Sequence, residues 1–284
     1  MKRRYRIQKF FNILLLIITL IVVLFVIGII LYLIFKGAHA LSWSFISQFP
    51  KNGMREGGIL PAIIGTLYLM IGTIFFALPI GIFAAIYLNE YASRNKFTRI
   101  IRLSIINMAG VPSIVYGLFG LGFFVLSLKF GKSILSGSLT LALMILPVII
   151  TSTEEALKAV PDTYRQASFA LGATKWQTVS KVVLPQALPG IITGAVIGIG
   201  RAAGETAPIM LTVAAFSVPG LPKSIFSQVM TLPYHLYILA TQVTNPPIDL
   251  QWGTSLVLLI IVLIFSATGS IIRVRQRLKK RELF

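Results

Sequence analysis

Glu154 to Pro185 reads EEALKAVPDTYRQASFALGATKWQTVSKVVLP, a polar island between two long apolar runs in a chain that otherwise avoids charge. Its punctuation is helical. Pro161 lacks a backbone donor and crowds the preceding turn, so it breaks the helix entering the island. Asp162 or Thr163 then caps a short new helix, and Gly172 suits a left-handed C-terminal cap that ends it. Thr174 and Gln177 have capping-box spacing and start a second short helix. Leu184-Pro185 closes that helix, and Pro189 stands near the start of the next apolar run. Tyr164, Ala167, Ala170 and Leu171 fall close to one face, which suits insertion in a groove. The same pattern also fits an amphipathic loop lying on lipid.

Outward from the island the chain is apolar. It has 284 residues, 56% of them hydrophobic and 12% charged, with no cysteine. That composition is too greasy for a soluble domain and points to a polytopic membrane protein. A helix needs about 20 apolar residues to cross the hydrocarbon core. The runs Phe10–Phe35, Gly57–Asn89, Leu103–Leu128, Ser133–Thr153 and Leu250–Ile272 meet that length, and a further span starts after Lys181 and holds Arg201 and Glu205. The expectation is an all-α membrane protein of six transmembrane helices. Ser224–Ile248 is uncharged but interrupted by Gln228, Pro233, His235, Gln242 and Asn245, so it reads as an external loop with a short interfacial helix.

The net charge of +18 sorts by side. With both termini cytoplasmic, 19 of the 26 basic residues fall on the inside, in Lys2–Lys9, Arg94–Arg102, Lys158–Lys181 and Arg273–Arg281. This is the positive-inside asymmetry. The basic ends therefore set topology and touch anionic lipid, and nucleic acid is not an expected partner. Ala38-His39-Ala40 resembles a signal-peptidase site, but the apolar run before it is far longer than a signal core of about 7–15 residues. It reads as an anchor. The organisation expected is a first helix and external segment over residues 1–58, a main helical body over 61–272 that contains the 154–185 loop, and a basic cytoplasmic tail over 273–284.

Glycines recur at helical spacing: Gly190, Gly194 and Gly198, Gly65 with Gly72, and Gly110 with Gly117. In lipid such small-residue stripes let helices approach closely, so packing explains them. Arg201 and Glu205 stand in GRAAGETAP, about 21 Å along a span that starts near Ala187, taking 1.5 Å per residue. A charge at that depth costs about 2.5–3.5 kcal/mol on the mild insertion scale and must find a partner. The i,i+4 spacing makes Glu205 that partner. Two roles stay open on physics alone. The pair fixes helix register, or the guanidinium offers planar donors to a tetrahedral oxyanion while the carboxylate holds it or repels the anion onward.

The island also resembles a family signature. Gln166-Ala167-Ser168, then Gly172, Val182 and Leu184-Pro185 keep the spacing of the loop of binding-protein-dependent ABC importer permeases. That signature is Glu-Ala-Ala, three residues, Gly, nine residues, Ile, one residue, Leu-Pro, and Gln166 stands where the family has glutamate. The stretches RAAGETAP, GVPSIVYGLFGL (Gly110–Leu121), AIYLNEYA (Ala85–Ala92) and GGILPAIIGTL (Gly57–Leu67) resemble the phosphate-specific ABC importer permeases. Ala207-Pro208, with Pro233–Tyr237 outside, resembles the PstA type.

The resemblance implies a type I ABC importer transmembrane domain in a prokaryotic cell membrane, moving phosphate by alternating access. It implies ATPase coupling through Tyr164, Gln166, Ala167, Ser168, Leu171, Gly172, Leu184 and Pro185. Arg201, Glu205 and Thr206 are the implied substrate path. The implied partners are a second homologous permease, two cytoplasmic ATP-binding subunits and an extracytoplasmic phosphate-binding protein. Alternatives are the partner permease, a permease for molybdate or sulfate, or a non-transporting scaffold or sensor.

No enzymatic role is expected of the chain itself. Gly131-Lys132-Ser133 would need a glycine at 126 to make a phosphate loop, and Leu126 stands there. His39 and His235 are far apart and no HExxH exists, so neither metal nor cofactor is expected. Ser113 and Tyr116 are polar side chains that line the path or bond to backbone.

Overall fold

In lipid every backbone donor and acceptor must be satisfied inside the protein, so long apolar runs fold as helices. The computed structural model describes residues 2–93, 95–218, 220–245 and 247–281. Arg94, the side chains of Lys2, Arg3 and Arg6, and much of the basic tail (side chains from 276 onward and all of 282–284) lie outside the described residues.

Helix α1 (Lys2–Ala38) is exposed from Ile7 to Phe35 apart from a few half-buried positions, and it meets the body near its end. There Gly37 lies against Trp252 and Leu256, and the Tyr32 ring meets Trp252 edge-on at 5.5 Å. A short helix α2 (Trp43–Ser47) follows, then a two-stranded hairpin, β1 (Pro50–Lys51) with β2 (Glu56–Gly57), in register Pro50↔Gly57. Helix α3 (Leu60–Ile86) runs on through a wide turn, Tyr87–Tyr91, in which Ala92 N–H bonds Tyr87 O at 2.8 Å.

The third apolar run differs from the expected straight span. It forms α4 (Lys96–Met108) and α5 (Ser113–Gly120, continued by a wide turn to Ser127), bent 104° from each other. Gly110 and Pro112 make the corner, and Tyr116 Oη closes it by donating to Met108 O at 2.7 Å. Gly110 thus serves the turn, with only Asn107 O near it, and does not share a packing face with Gly117.

Helix α6 (Ile134–Lys158) is the most buried span. It leads through α7 (Asp162–Ala170) into α8 (Lys175–Thr178), a wide turn Val179–Val183, and α9 (Leu184–Ala203). Beyond it come α10 (Ala207–Thr212), α11 (Leu232–Thr241) and α12 (Ile248–Arg281). Among the described residues five helices are long and apolar enough to cross a membrane, and six if the bent α4–α5 pair counts as one.

The surface is inverted relative to a water-soluble protein. Phe75, Phe83, Leu118, Leu126, Ile197 and Leu263 point outward, while Thr66, Thr73, Ser136, Ser138, Thr140 and Thr254 are buried. With lipid as solvent, apolar side chains gain nothing from burial and small polar ones pack between helices. Glycine sets the α6–α9 crossing. A Cβ at Gly190 would stand 2.5 Å from Ala156 Cβ, and one at Gly194 would collide with Ser152.

The segment before α12 also differs from expectation. Leu232, Pro233, His235, Ile238 and Leu239 of α11 are buried, and Leu232 N–H bonds Thr66 Oγ1 of α3 at 2.9 Å. Ten residues are too few to cross, and this helix packs with Phe45, Met54 and Ile59 at the hairpin end of the bundle rather than lying open on the surface.

Candidate functional site

The loop folds as punctuated, with two differences. Pro161 is the N-cap of α7, and neither Asp162 nor Thr163 caps it. Asp162 is the first helical residue and accepts instead from Arg165 Nη1 at 3.2 Å. Gly172 takes φ +78°, and the bonds Gly172 N–H to Phe169 O (2.9 Å) and Ala173 N–H to Ser168 O (3.2 Å) complete a Schellman cap. Thr174 and Gln177 form the reciprocal capping box, at 2.8 and 3.3 Å.

The second difference is at Leu184-Pro185, which does not end a short helix. The wide turn Val179–Val183 precedes it, and Pro185 lies in the first turn of α9, where a missing N–H is cheap. Helix runs from Lys175 to Ala203 as one rod.

The site residues expected in the loop divide by side. Tyr164, Gln166, Ala167, Leu171 and Gly172 are exposed, Leu171 by 88%. Phe169 and Trp176 are exposed beside them. Ser168 is buried and shares a 2.9 Å hydrogen bond with Thr178. Leu184 and Pro185 are half-buried at the start of α9. Tyr164, Ala167 and Leu171 thus offer an apolar face outward, while Ser168 fastens α7 to the rod.

Sequence reasoning missed what anchors this loop. Arg165, 15% exposed, donates to Glu90 (9% exposed) through Nη2 at 2.7 Å and Nε at 3.3 Å. It also bonds Leu157 O in the last turn of α6 and Val160 O just beyond it. Seventy-five residues separate the pair, and no local pattern in one sequence announces it.

At the far end of the rod, α9 stops at Ala203 with Gly204 as its cap, and α10 starts again at Ala207. Arg201 and Glu205 therefore do not share a helix face. They meet across a backbone break, Nε to Oε1 at 3.7 Å, with Thr206 next in the chain at the N-cap of α10. The cation occupies the last turn of α9, where the helix dipole favours it.

Depth follows from the crossing with α6. Gly198 lies against Ile145 and Ile149, near the midpoint of α6. Arg201 is three residues further, about 4.5 Å, so the break stands near mid-membrane. Irregular backbone at that depth is tolerated where it is buried in protein or lines a cavity. On one side α5 supports it closely, since a Cβ at Gly117 would stand 2.9 Å from Pro208 Cα. On the other side Arg201 keeps 35% of its side chain exposed and Glu205 17%. Ser113 is half-buried, and Tyr116 is buried with its hydroxyl spent on Met108 O. Among the described residues no three His, Asp or Glu side chains group as metal ligands.

A helical bundle with an inverted surface, a mid-membrane break carrying a charge pair, and an exposed apolar loop at one end defines a multi-pass membrane protein built to work with a partner. Residues 77–279 match the family of binding-protein-dependent transport system inner membrane components. The chain belongs to that family of ABC importer permeases.

Among its relatives, a probable ABC transporter permease protein YqgI of Bacillus subtilis is 35% identical over 87% of this chain and 88% of its own. A phosphate transport system permease protein PstA of Mycobacterium leprae is 38% identical over 76% of this chain and 71% of its own. Solved structures share the fold. A MetNI methionine ABC transporter chain gives a TM-score of 0.62 at 20% identity over 77% of this chain and 97% of its own. A bacterial alginate ABC transporter chain, in complex with its periplasmic protein, gives 0.65 at 15% over 90% and 91%.

Proposed function

We propose that this permease imports inorganic phosphate, with the 154–185 loop docked on a cytoplasmic ATPase and the Arg201–Glu205 break on the substrate path. One observation carries the reading. The loop and the charged break occupy opposite ends of one rod, Lys175–Ala203, roughly 43 Å long at 1.5 Å per residue. A push at the loop reaches Arg201 along one continuous span, which holds the wide turn Val179–Val183 and Pro189. PstA relatives support phosphate as cargo, and the planar guanidinium suits a tetrahedral oxyanion.

In this scheme the loop and both termini face the cytoplasm. A second homologous permease covers the open side of Arg201 and completes the path. An extracytoplasmic phosphate-binding protein loads the outer face. ATP binding by two ATPase subunits draws the two loops together and turns the bundle outward, and hydrolysis returns it inward. Such switching needs only a two-state bundle biased by differential contacts at a remote site. Tyr164, Ala167 and Leu171 fill the ATPase groove by shape, and Gln166 offers it hydrogen bonds without charge.

The test is phosphate uptake by the reconstituted complex. Arg201→Gln is expected to abolish uptake while every subunit still co-purifies. Uptake at the wild-type rate overturns the path assignment. Competition by excess sulfate or molybdate as strong as by unlabelled phosphate overturns the cargo.

A further inference from the structure

The wide turn Tyr87–Tyr91 that ends α3 lies in the AIYLNEYA stretch and is gripped from three neighbouring segments. Arg102 of α4 donates to Leu88 O at 2.5 Å and to Glu154 of α6 at 2.8 Å. Arg165 of α7 holds both carboxylate oxygens of Glu90. Lys175, the first residue of the rod, sits 4.8 Å above the Tyr91 ring. Asn89 Nδ2 steadies Glu90 from within the turn at 2.9 Å. Beneath these contacts Ala85, Ile86 and Leu88 pack with Leu157, Val179 and Val183 in one buried cluster.

Arg165 is therefore fastened on two sides. Its guanidinium also bonds the carbonyls of Leu157, in the last turn of α6, and of Val160, just beyond that helix. Its two parallel bonds to Glu90 fix orientation as well as distance. Helix α7 cannot slide without carrying the end of α3 with it. Single widened turns of this kind within helices occur frequently at functional sites.

We infer that the Glu90–Arg165 pair is the joint through which displacement of the loop enters α3, and that it stays closed throughout the transport cycle. Both are positioning residues; neither touches phosphate. The inference deepens the proposed function and rests on its assignment of the loop to an ATPase.

The chain has no cysteine, so a cysteine pair can be placed cleanly. In the complete complex, with the other subunits freed of accessible cysteines, Glu90→Gln should lower phosphate moved per ATP hydrolysed by about tenfold, within the usual range for coupling between sites. ATPase co-purification should not change. Glu90→Cys with Arg165→Cys should be uncoupled when reduced, recover when bridged by a bis-methanethiosulfonate reagent, and lose coupling again in dithiothreitol.

A wild-type ratio in Glu90→Gln, or a bridged complex as uncoupled as the reduced one, overturns the joint. If the double variant fails to assemble, the ratio is read on Arg165→Lys, which keeps charge without parallel bonds, and a wild-type value there overturns it too. Leu171→Asp tests the underlying reading separately. Undiminished ATPase co-purification with that variant sinks the docking assignment, whatever the Glu90 variants show.

Discussion

The Ser168 and Thr178 hydroxyls lie 2.9 Å apart in a buried contact that crosses the Gly172 turn. It joins the last turn of α7 to the last residue of α8, so the loop helix is tied directly to the rod. Removing one partner strands the other, and an unsatisfied buried hydroxyl costs about 1–3 kcal/mol. Ser168→Ala or Thr178→Val should each speed amide exchange across 162–178, and the double variant should cost less than the sum of the two. Additive costs would mean that the hydroxyls do not pair.

Gly172 stands at φ +78° with open space around its Cα. Backbone conformation, not crowding, selects glycine there. An L residue in the left-handed region costs about 1–2 kcal/mol, and asparagine suffers less than a β-branched side chain. Gly172→Val should loosen the cap and uncouple ATP hydrolysis from uptake in proteoliposomes, with Gly172→Asn between it and wild type. Coupling retained in the valine variant would remove the turn from the transmission path.

Much of this architecture was legible in the chain. Hydropathy marked the runs that cross, and Pro161, Gly172 and the Thr174/Gln177 box marked the loop, because each acts through its own few neighbours. Errors arose where a local signal met a tertiary override. Pro112 turns the third apolar run at a corner that its hydropathy hides, while Pro185 leaves the rod unbroken because a wide turn precedes it. The polar interruptions of 224–248 read as surface, yet His235 and Thr231 are buried. Glu90–Arg165 and Arg102–Glu154 join residues 75 and 52 apart, beyond any periodicity in a single sequence. At the membrane site the charges were readable from composition, but the helix break that separates them was not.

The α6–α9 crossing should be sensitive at one glycine and tolerant at the next. A Cβ at Gly194 would collide with Ser152, whereas one at Gly198 would meet Ile145 at 3.5 Å, an ordinary contact. Overpacking of a close helix contact costs about 1–3 kcal/mol. Gly194→Ala should lower the midpoint of thermal unfolding in detergent, and adding Ser152→Gly should restore it. Gly198→Ala should change it little. Equal losses at the two positions would contradict the crossing described.

His235 makes stability depend on pH. The residue is buried in α11, outside the spans, and its Nδ1 has no hydrogen-bond partner among the described residues. Burial holds its pKa down to about 4, from an ordinary value of 6.5. The unfolded chain therefore takes up the proton first as pH falls below 6.5, and the folded form only near 4. This group leaves the fold undisturbed at neutral pH and destabilises it progressively between those values. Linkage puts the loss at about 2 kcal/mol by pH 5. Unfolding in detergent should show a midpoint that drops between pH 7 and pH 5, and His235→Gln should remove this group's share of the drop. If wild type and variant lose stability in parallel over that interval, the acid sensitivity belongs to other groups and His235 is not held neutral by its burial.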